Sequence, residues 1–236
     1  MKRIFLLIPI ILLTLACTKT TPSNVYESVI PTDTPSWGNQ YASVTLTEYA
    51  NFVCPACASF APLVDELTKT MGSQVRFVFA HLLFEGKNGL DGHSEEDQIR
   101  FQNAGECADD EGKFQEYYDM TFQKQSIPDP TEENPLRAKI NPDFKADNII
   151  NFSKEIGIES ETFKQCVESV QYRTRIKDST KRGLESLEEA QKNLFRGPST
   201  PTFFINETLF QFQRDPKAGG TLEQLEKALK DAMKTS

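Results

Sequence analysis

The chain has 236 residues, 38% of them hydrophobic, and carries 26 basic against 34 acidic side chains for a formal charge of −8. That content sustains a hydrophobic core and excludes a chain disordered throughout. The acidic balance argues against nucleic acid as a partner and describes a solvated acidic surface.

The first seventeen residues, MKRIFLLIPIILLTLAC, give two positive charges, an apolar run over 4–15 and then a small residue, the layout of a secretory signal. The run is too short to span a bilayer comfortably. LTLAC resembles the lipobox of bacterial lipoproteins, with Thr14 standing where leucine is commonest. The resemblance implies that Cys17 is diacylated, becomes the new N-terminus and anchors the protein to a membrane. An ordinary cleaved signal or an uncleaved anchor is the alternative. Removing residues 1–16 deletes Lys2 and Arg3 and takes the charge from −8 to −10. Residues 17–36 then form a lipid anchor and a Thr/Ser/Pro-rich tether, and the folded part is predicted to begin near Trp37.

Residues 43–49 (SVTLTEY) alternate apolar or β-branched with polar side chains, the period of a strand. CPAC follows at once. Residues 58–71 place Phe60, Leu63, Val64, Leu67 and Met71 at helical steps, with Gly72 as the stop, and residues 74–80 (QVRFVFA) form a second strand. Strand, helix, strand predicts a right-handed parallel crossover with Cys54 and Cys57 at its first turn. From about residue 95 to 194 the pattern is helical, ending in a long charged helix around residues 177–193. Within that stretch, residues 126–148 hold four prolines and read as a long irregular loop. Strand character returns at 202–206 and near 208–212, and a helix over 221–233 closes the chain. The economical architecture is a mixed sheet with a helical block between its two halves.

Apart from Cys17, four cysteines remain: Cys54, Cys57, Cys107 and Cys166. An even number suits two disulfides in an exported chain. Three pairings exist; proximity favours Cys54 with Cys57, leaving Cys107 with Cys166. A zinc site would want a second CxxC or a spaced histidine pair, and only His81 and His93 are present, so no metal is expected and both histidines are read as structural or exposed. At a helix N-terminus, Cys54 would face unpaired N–H groups and the positive end of the helix dipole, which favour thiolate. Cys57, one turn deeper, would be the resolving thiol.

Taken in order, TLTEYANFVCPACASFAP, NAGECADDEGKFQEYYDMTF and STPTFFIN resemble the DsbA-like thiol:disulfide oxidoreductases of the thioredoxin superfamily, from roughly residue 37 to 233. The resemblance implies an α/β thioredoxin fold, its first half over 37–93, an inserted α-helical domain over 94–195 and its second half over 196–236. It also implies that Pro201 is cis and lies against Cys54, exposing the Thr200 backbone to an extended substrate. Glu48 falls where the family has an acidic residue beneath the active site, suited to relaying protons to Cys57. Cys107 and Cys166 fall where a subset of the family has a structural disulfide. The Pro-Ala between Cys54 and Cys57 lacks the histidine of the strongest oxidants, and the proline-rich loop is longer than usual.

The function expected is disulfide formation in exported proteins by exchange through Cys54 and Cys57, at the extracytoplasmic face of a bacterial envelope. No cofactor is expected, and the partners are cysteine-containing exported proteins and a membrane redox protein. A monomer is expected. A reductase or isomerase kept reduced by a membrane partner is the alternative within this chemistry. A redox-inactive thioredoxin-fold binding or holdase lipoprotein is the alternative outside it.

Overall fold

The computed structural model describes residues 34–84, 90, 92–127, 139–191, 198–214 and 220–235. The expected signal, Cys17 and nearly all of the tether fall outside the described residues, as does the middle of the proline-rich stretch.

The fold begins earlier than the composition suggested. Thr34 is buried, and Ser36–Gly38 forms an edge strand, β1. Residues 34–36, expected to belong to the tether, are thus part of the packed structure. What holds β1 is tertiary: Trp37 stacks on Phe77 at 5.6 Å between ring centroids, and its indole N–H donates to Thr68 Oγ1 at 2.9 Å. The alternating run then gives β2 (Val44–Ala50). Helix α1 (Pro55–Met71) follows, with Cys57, Ala61, Val64, Leu67 and Met71 buried at helical spacing. Pro55 costs α1 no hydrogen bond, because the first N–H of a helix has no intrahelical acceptor. After α1 comes β3 (Val75–His81), which pairs in parallel with β2 from Val44 opposite Val75 to Ala50 opposite His81.

Among the described residues five α-helices follow: α2 (Glu95–Asp110), α3 (Phe114–Gln125), α4 (Ile149–Glu155), α5 (Glu161–Ser169) and α6 (Arg173–Gln191). The stretch read as one irregular loop is not uniform. It opens with β4 (Ser126–Ile127), paired antiparallel with β5 (Lys139–Ile140), and ends in a 3-10 turn over Ala146–Asn148. Two-residue strands carry too little pattern to be seen in sequence. Strands β6 (Thr202–Ile205) and β7 (Thr208–Phe210) form a hairpin, and α7 (Thr221–Met233) closes the fold. The main sheet runs β1-β3-β2-β6-β7, with β6 antiparallel to β2.

One side of this sheet, bearing Val44, Leu46, Phe77, Phe79, Phe203 and Ile205, shares a core with α1, α3 and α7. The other side, with Tyr49, Ala80 and Phe204, packs against Leu187 of α6. Gly183 lets α6 approach: a Cβ there would lie 2.8 Å from the Tyr49 ring. The helical block packs directly on the sheet. Phe101 and Cys107 of α2 belong to the same core as the sheet, and a disulfide joins Cys107 to Cys166 between α2 and α5.

Candidate functional site

Chain direction changes between β2 and α1, and Asn51 makes the turn. Its Oδ1 accepts from the Val53 N–H at 3.1 Å, and its carbonyl accepts from the Cys54 N–H at 3.0 Å. Asparagine is suited to this because its short amide imitates a turn of backbone. Cys54 thereby becomes the N-cap of α1, with extended φ −86° and ψ 117°. Its sulfur accepts from the Cys57 N–H at 3.5 Å, the place a serine or aspartate oxygen takes in an ordinary cap.

Cys54 is 4% exposed and Cys57 is fully buried; both are free thiols. The environments push the two apart. The Cys57 thiol donates to the Cys54 sulfur, and this is the largest influence holding Cys54 down at about 6. The Thr200 side chain and the N–H groups of Cys57 and Ala56 add to it, against the opposing effect of burial. Burial drives Cys57 the other way, well above the usual thiol range, with the Cys54 thiolate and Glu48 adding to the shift. One sulfur is set up to be ionised at neutral pH and the other to hold its proton.

Glu48 lies on β2 opposite Phe79 of β3 and Phe203 of β6, and it is 2% exposed. Desolvation lifts its pKa to about 8, the nearby Cys54 adds to that, and a hydrogen bond donated by Tyr118 at 2.9 Å to Oε2 partly offsets it. Its other oxygen, Oε1, has no hydrogen-bond partner among the described residues. A carboxyl group left in this state is neutral at pH 7 and has a proton to give.

The loop before β6 completes the cluster. The Thr200–Pro201 bond is cis, and the Thr200 carbonyl lies 3.6 Å from Cys54 Sγ, accepting from the thiol form. Cys54, Cys57, Glu48 and Thr200 come from three separated stretches of chain and meet here. Cys107 and Cys166 stand apart as the disulfide of α2 and α5. His81 is buried, its ring nitrogens 3.1 Å from Gln102 Oε1 and 2.7 Å from Glu106 Oε1; Arg175 bonds the second Glu106 oxygen at 2.7 Å. His93 is half-buried against the Phe101 and Phe144 rings. Tyr118 and Asn51 are the functional residues that sequence reasoning missed. Asn51 carried a signal, since asparagine three residues before an N-cap is a turn former; Tyr118, seventy residues from Glu48, carried none.

Two cysteines so polarised, with a buried proton donor beside them, are suited to thiol–disulfide exchange, as the dithiol with a disulfide or, once oxidised, with a thiol. Comparison with known proteins places the fold. A family model described as thioredoxin matches residues 31–231. Among curated proteins, the Na(+)/H(+) antiporter NhaA 1 of Salinispora arenicola is 25% identical over 169 residues, 72% of this chain. The chain spans 21% of that relative's length. Oxidised BdbD from Bacillus subtilis is similar in structure, with a TM-score of 0.57, 20% identity, and coverage of 86% of this chain and 94% of that one. A thioredoxin-like oxidoreductase from Silicibacter pomeroyi gives 0.55 at 20% identity, covering 87% and 95%. DsbA of Chlamydia trachomatis gives 0.57 at 14% identity, covering 88% and 95%. At these identities the likeness to the solved structures is one of fold.

Proposed function

The chain belongs to the thioredoxin family and has a DsbA-like fold, and from that premise we propose that it is a thiol:disulfide oxidoreductase that donates disulfides to exported proteins. The observation that carries the proposal is the asymmetry of the pair: Cys54 caps α1 with its pKa near 6, while Cys57 is buried and held protonated.

In the oxidised protein a substrate thiolate attacks Cys54 Sγ. The Cys54–Cys57 bond breaks, a mixed disulfide forms, and Cys57 leaves as a thiolate that takes a proton from Glu48. A second substrate thiolate then attacks the substrate sulfur of the mixed disulfide and expels Cys54. The substrate loses two electrons and two protons; one proton restores Glu48, the other passes to solvent, and the reduced enzyme is left with Cys57 as a thiol and Cys54 as a thiolate. Cys54 is a good leaving group because its thiolate is stabilised. The same stabilisation favours the reduced enzyme and so makes the oxidised form the stronger oxidant. The Thr200 backbone beside Cys54 offers an edge for an extended substrate segment. An envelope location with Cys17 as lipid anchor is supported by the lipobox resemblance, and a membrane redox protein would regenerate the disulfide.

Two measurements test this. Cys54→Ser should abolish both dithiol oxidation and insulin reduction; retained activity would overturn the assignment. Equilibration of the full-length protein with glutathione buffers should give a potential nearer the ~−120 mV of a strong periplasmic oxidant than the ~−270 mV of thioredoxin. A value at the thioredoxin end would reverse the direction and make the protein a reductase.

A further inference from the structure

Three buried glutamines of the helical block reach the segment that leads into Cys54. Gln125 of α3 donates from Nε2 to the Phe52 carbonyl at 3.0 Å. Gln102 of α2 donates to the Ala50 carbonyl at 3.4 Å. One turn earlier on α2, Gln98 Oε1 accepts from Asn51 Nδ2 at 2.9 Å; the same Asn51 nitrogen donates to the Leu82 carbonyl at 2.9 Å. Gln98 is held in turn by Phe84, whose N–H it accepts at 2.9 Å and whose carbonyl it bonds at 3.0 Å. Ala50, Asn51 and Phe52 thus each receive one amide side chain from outside the sheet. All three glutamines are at most 5% exposed. Burying an amide costs about 1–3 kcal/mol unless it is bonded, so these side chains belong where they find these partners.

Packing supports the same view. Phe52 stacks on Phe79 at 4.6 Å between ring centroids, and a Cβ on Gly105 of α2 would come 2.8 Å from the Phe52 ring. Helix α2 therefore lies against the loop both by contact and by hydrogen bond. Asn51, which Gln98 holds while Gln102 and Gln125 hold its neighbours Ala50 and Phe52, is the residue whose side chain and carbonyl turn the chain into the Cys54 cap.

We infer that Gln98, Gln102 and Gln125 are positioning residues for the redox pair, fixing residues 50–52 so that Cys54 Sγ faces the Cys57 N–H, and that through this hold the helical block sets the exchange rate and reduction potential. The inference rests on the thiol exchange proposed above. It assigns the block a task inside the reaction, in addition to covering the sheet.

The test uses full-length protein carrying Gln98→Met, Gln102→Met or Gln125→Met, each of which keeps length and removes the amide. The thiolate absorbance of Cys54 is titrated against pH, and the potential is read against glutathione. At least Gln98→Met and Gln125→Met, which lose the shortest bonds, should need a higher pH to ionise Cys54. Each should also show an equilibrium constant for oxidising glutathione about tenfold smaller, a fall of about 30 mV for a two-electron couple. Gln123→Met, at an exposed position of α3, should behave as wild type. Lower melting temperatures with unchanged titration and potential would show a merely structural role and overturn the inference. If a methionine variant does not fold, asparagine at the same position keeps the amide and shortens its reach; failure of every variant to fold would overturn it too. Wild-type protein that does not exchange with glutathione defeats the exchange proposal itself. Wild-type protein that exchanges, with variants indistinguishable from it, defeats only the positioning inference.

Discussion

Glu48 is a carboxyl group with aromatic neighbours on both adjoining strands and one phenol to bond, and its pH behaviour follows from that. Burial raises its pKa from an ordinary 4.5 to about 8. Between those values the native protein holds a proton that the unfolded chain has released. Stability contributed by neutral Glu48 is therefore full below pH ~4.5 and lost as pH rises through ~8. Glu48→Gln removes the titration and keeps the size. The variant should melt at a temperature that depends less on pH than wild type between 4.5 and 8, with the difference in its favour growing toward pH 8. It should also reduce or oxidise substrates more slowly, by on the order of a hundredfold, the lower end of what a positioned proton donor supplies. Its rate profile should lack the inflection near pH 8. Turnover equal to wild type across that range, read by stopped-flow against a model dithiol, would remove Glu48 from the mechanism and leave it a buried structural carboxyl.

At the level of elements, the Cys107–Cys166 bridge closes a separation of 59 residues between α2 and α5. Closing a loop of that size stabilises by about 2–4 kcal/mol, chiefly through the unfolded chain. Replacing both cysteines by serine should lower the free energy of unfolding by that amount in urea, with all samples kept free of reductant. A loss under 1 kcal/mol would mean that α2 and α5 are held by packing alone. How the elements were legible from sequence follows from where their stabilisation lies. The alternation of β2, the spacing of α1 and the leucines of α7 are local patterns, and they gave strand, helix and helix where the structure has them. The three residues of β1 have no period to show, and Trp37 stays in place through Phe77 and Thr68, which are 40 and 31 positions away. Helix α2 shows the same dependence: Gln98, Gln102, Asn103 and Glu106 are polar yet buried, because they bond the Phe84, Ala50 and Cys166 carbonyls and His81. CPAC and STP were visible as motifs; that Tyr118 would reach Glu48 was not, since no spacing rule connects residues 70 apart.

For the whole molecule, redox state and stability are linked through the Cys54 thiolate. Cys54 has its pKa lowered from 9.0 to about 6 in the folded dithiol. Over that interval the folded protein carries a thiolate where the unfolded chain carries a thiol, so the unfolded state binds one more proton and stability rises with pH. The gain is complete above pH ~9 and is lost as pH falls through ~6. The oxidised protein has no Cys54 thiol to titrate, and Cys57 contributes nothing inside the window because it stays protonated in both states below pH ~9. Glu48 is common to both redox forms, so its opposing slope largely cancels in the difference between them. The unfolding free energy of the reduced protein, minus that of the oxidised protein, should therefore climb by about 1.4 kcal/mol per pH unit between pH 6 and 9. Denaturant melts of the two forms at pH 6, 7 and 8, with the Cys107–Cys166 bond left intact in both, measure it directly. A flat difference would mean that Cys54 is not ionised preferentially in the fold, and the oxidising direction proposed for this protein would lose its thermodynamic basis. A rising one would trace the proposed oxidising direction to the same thiolate hydrogen bonds that cap α1.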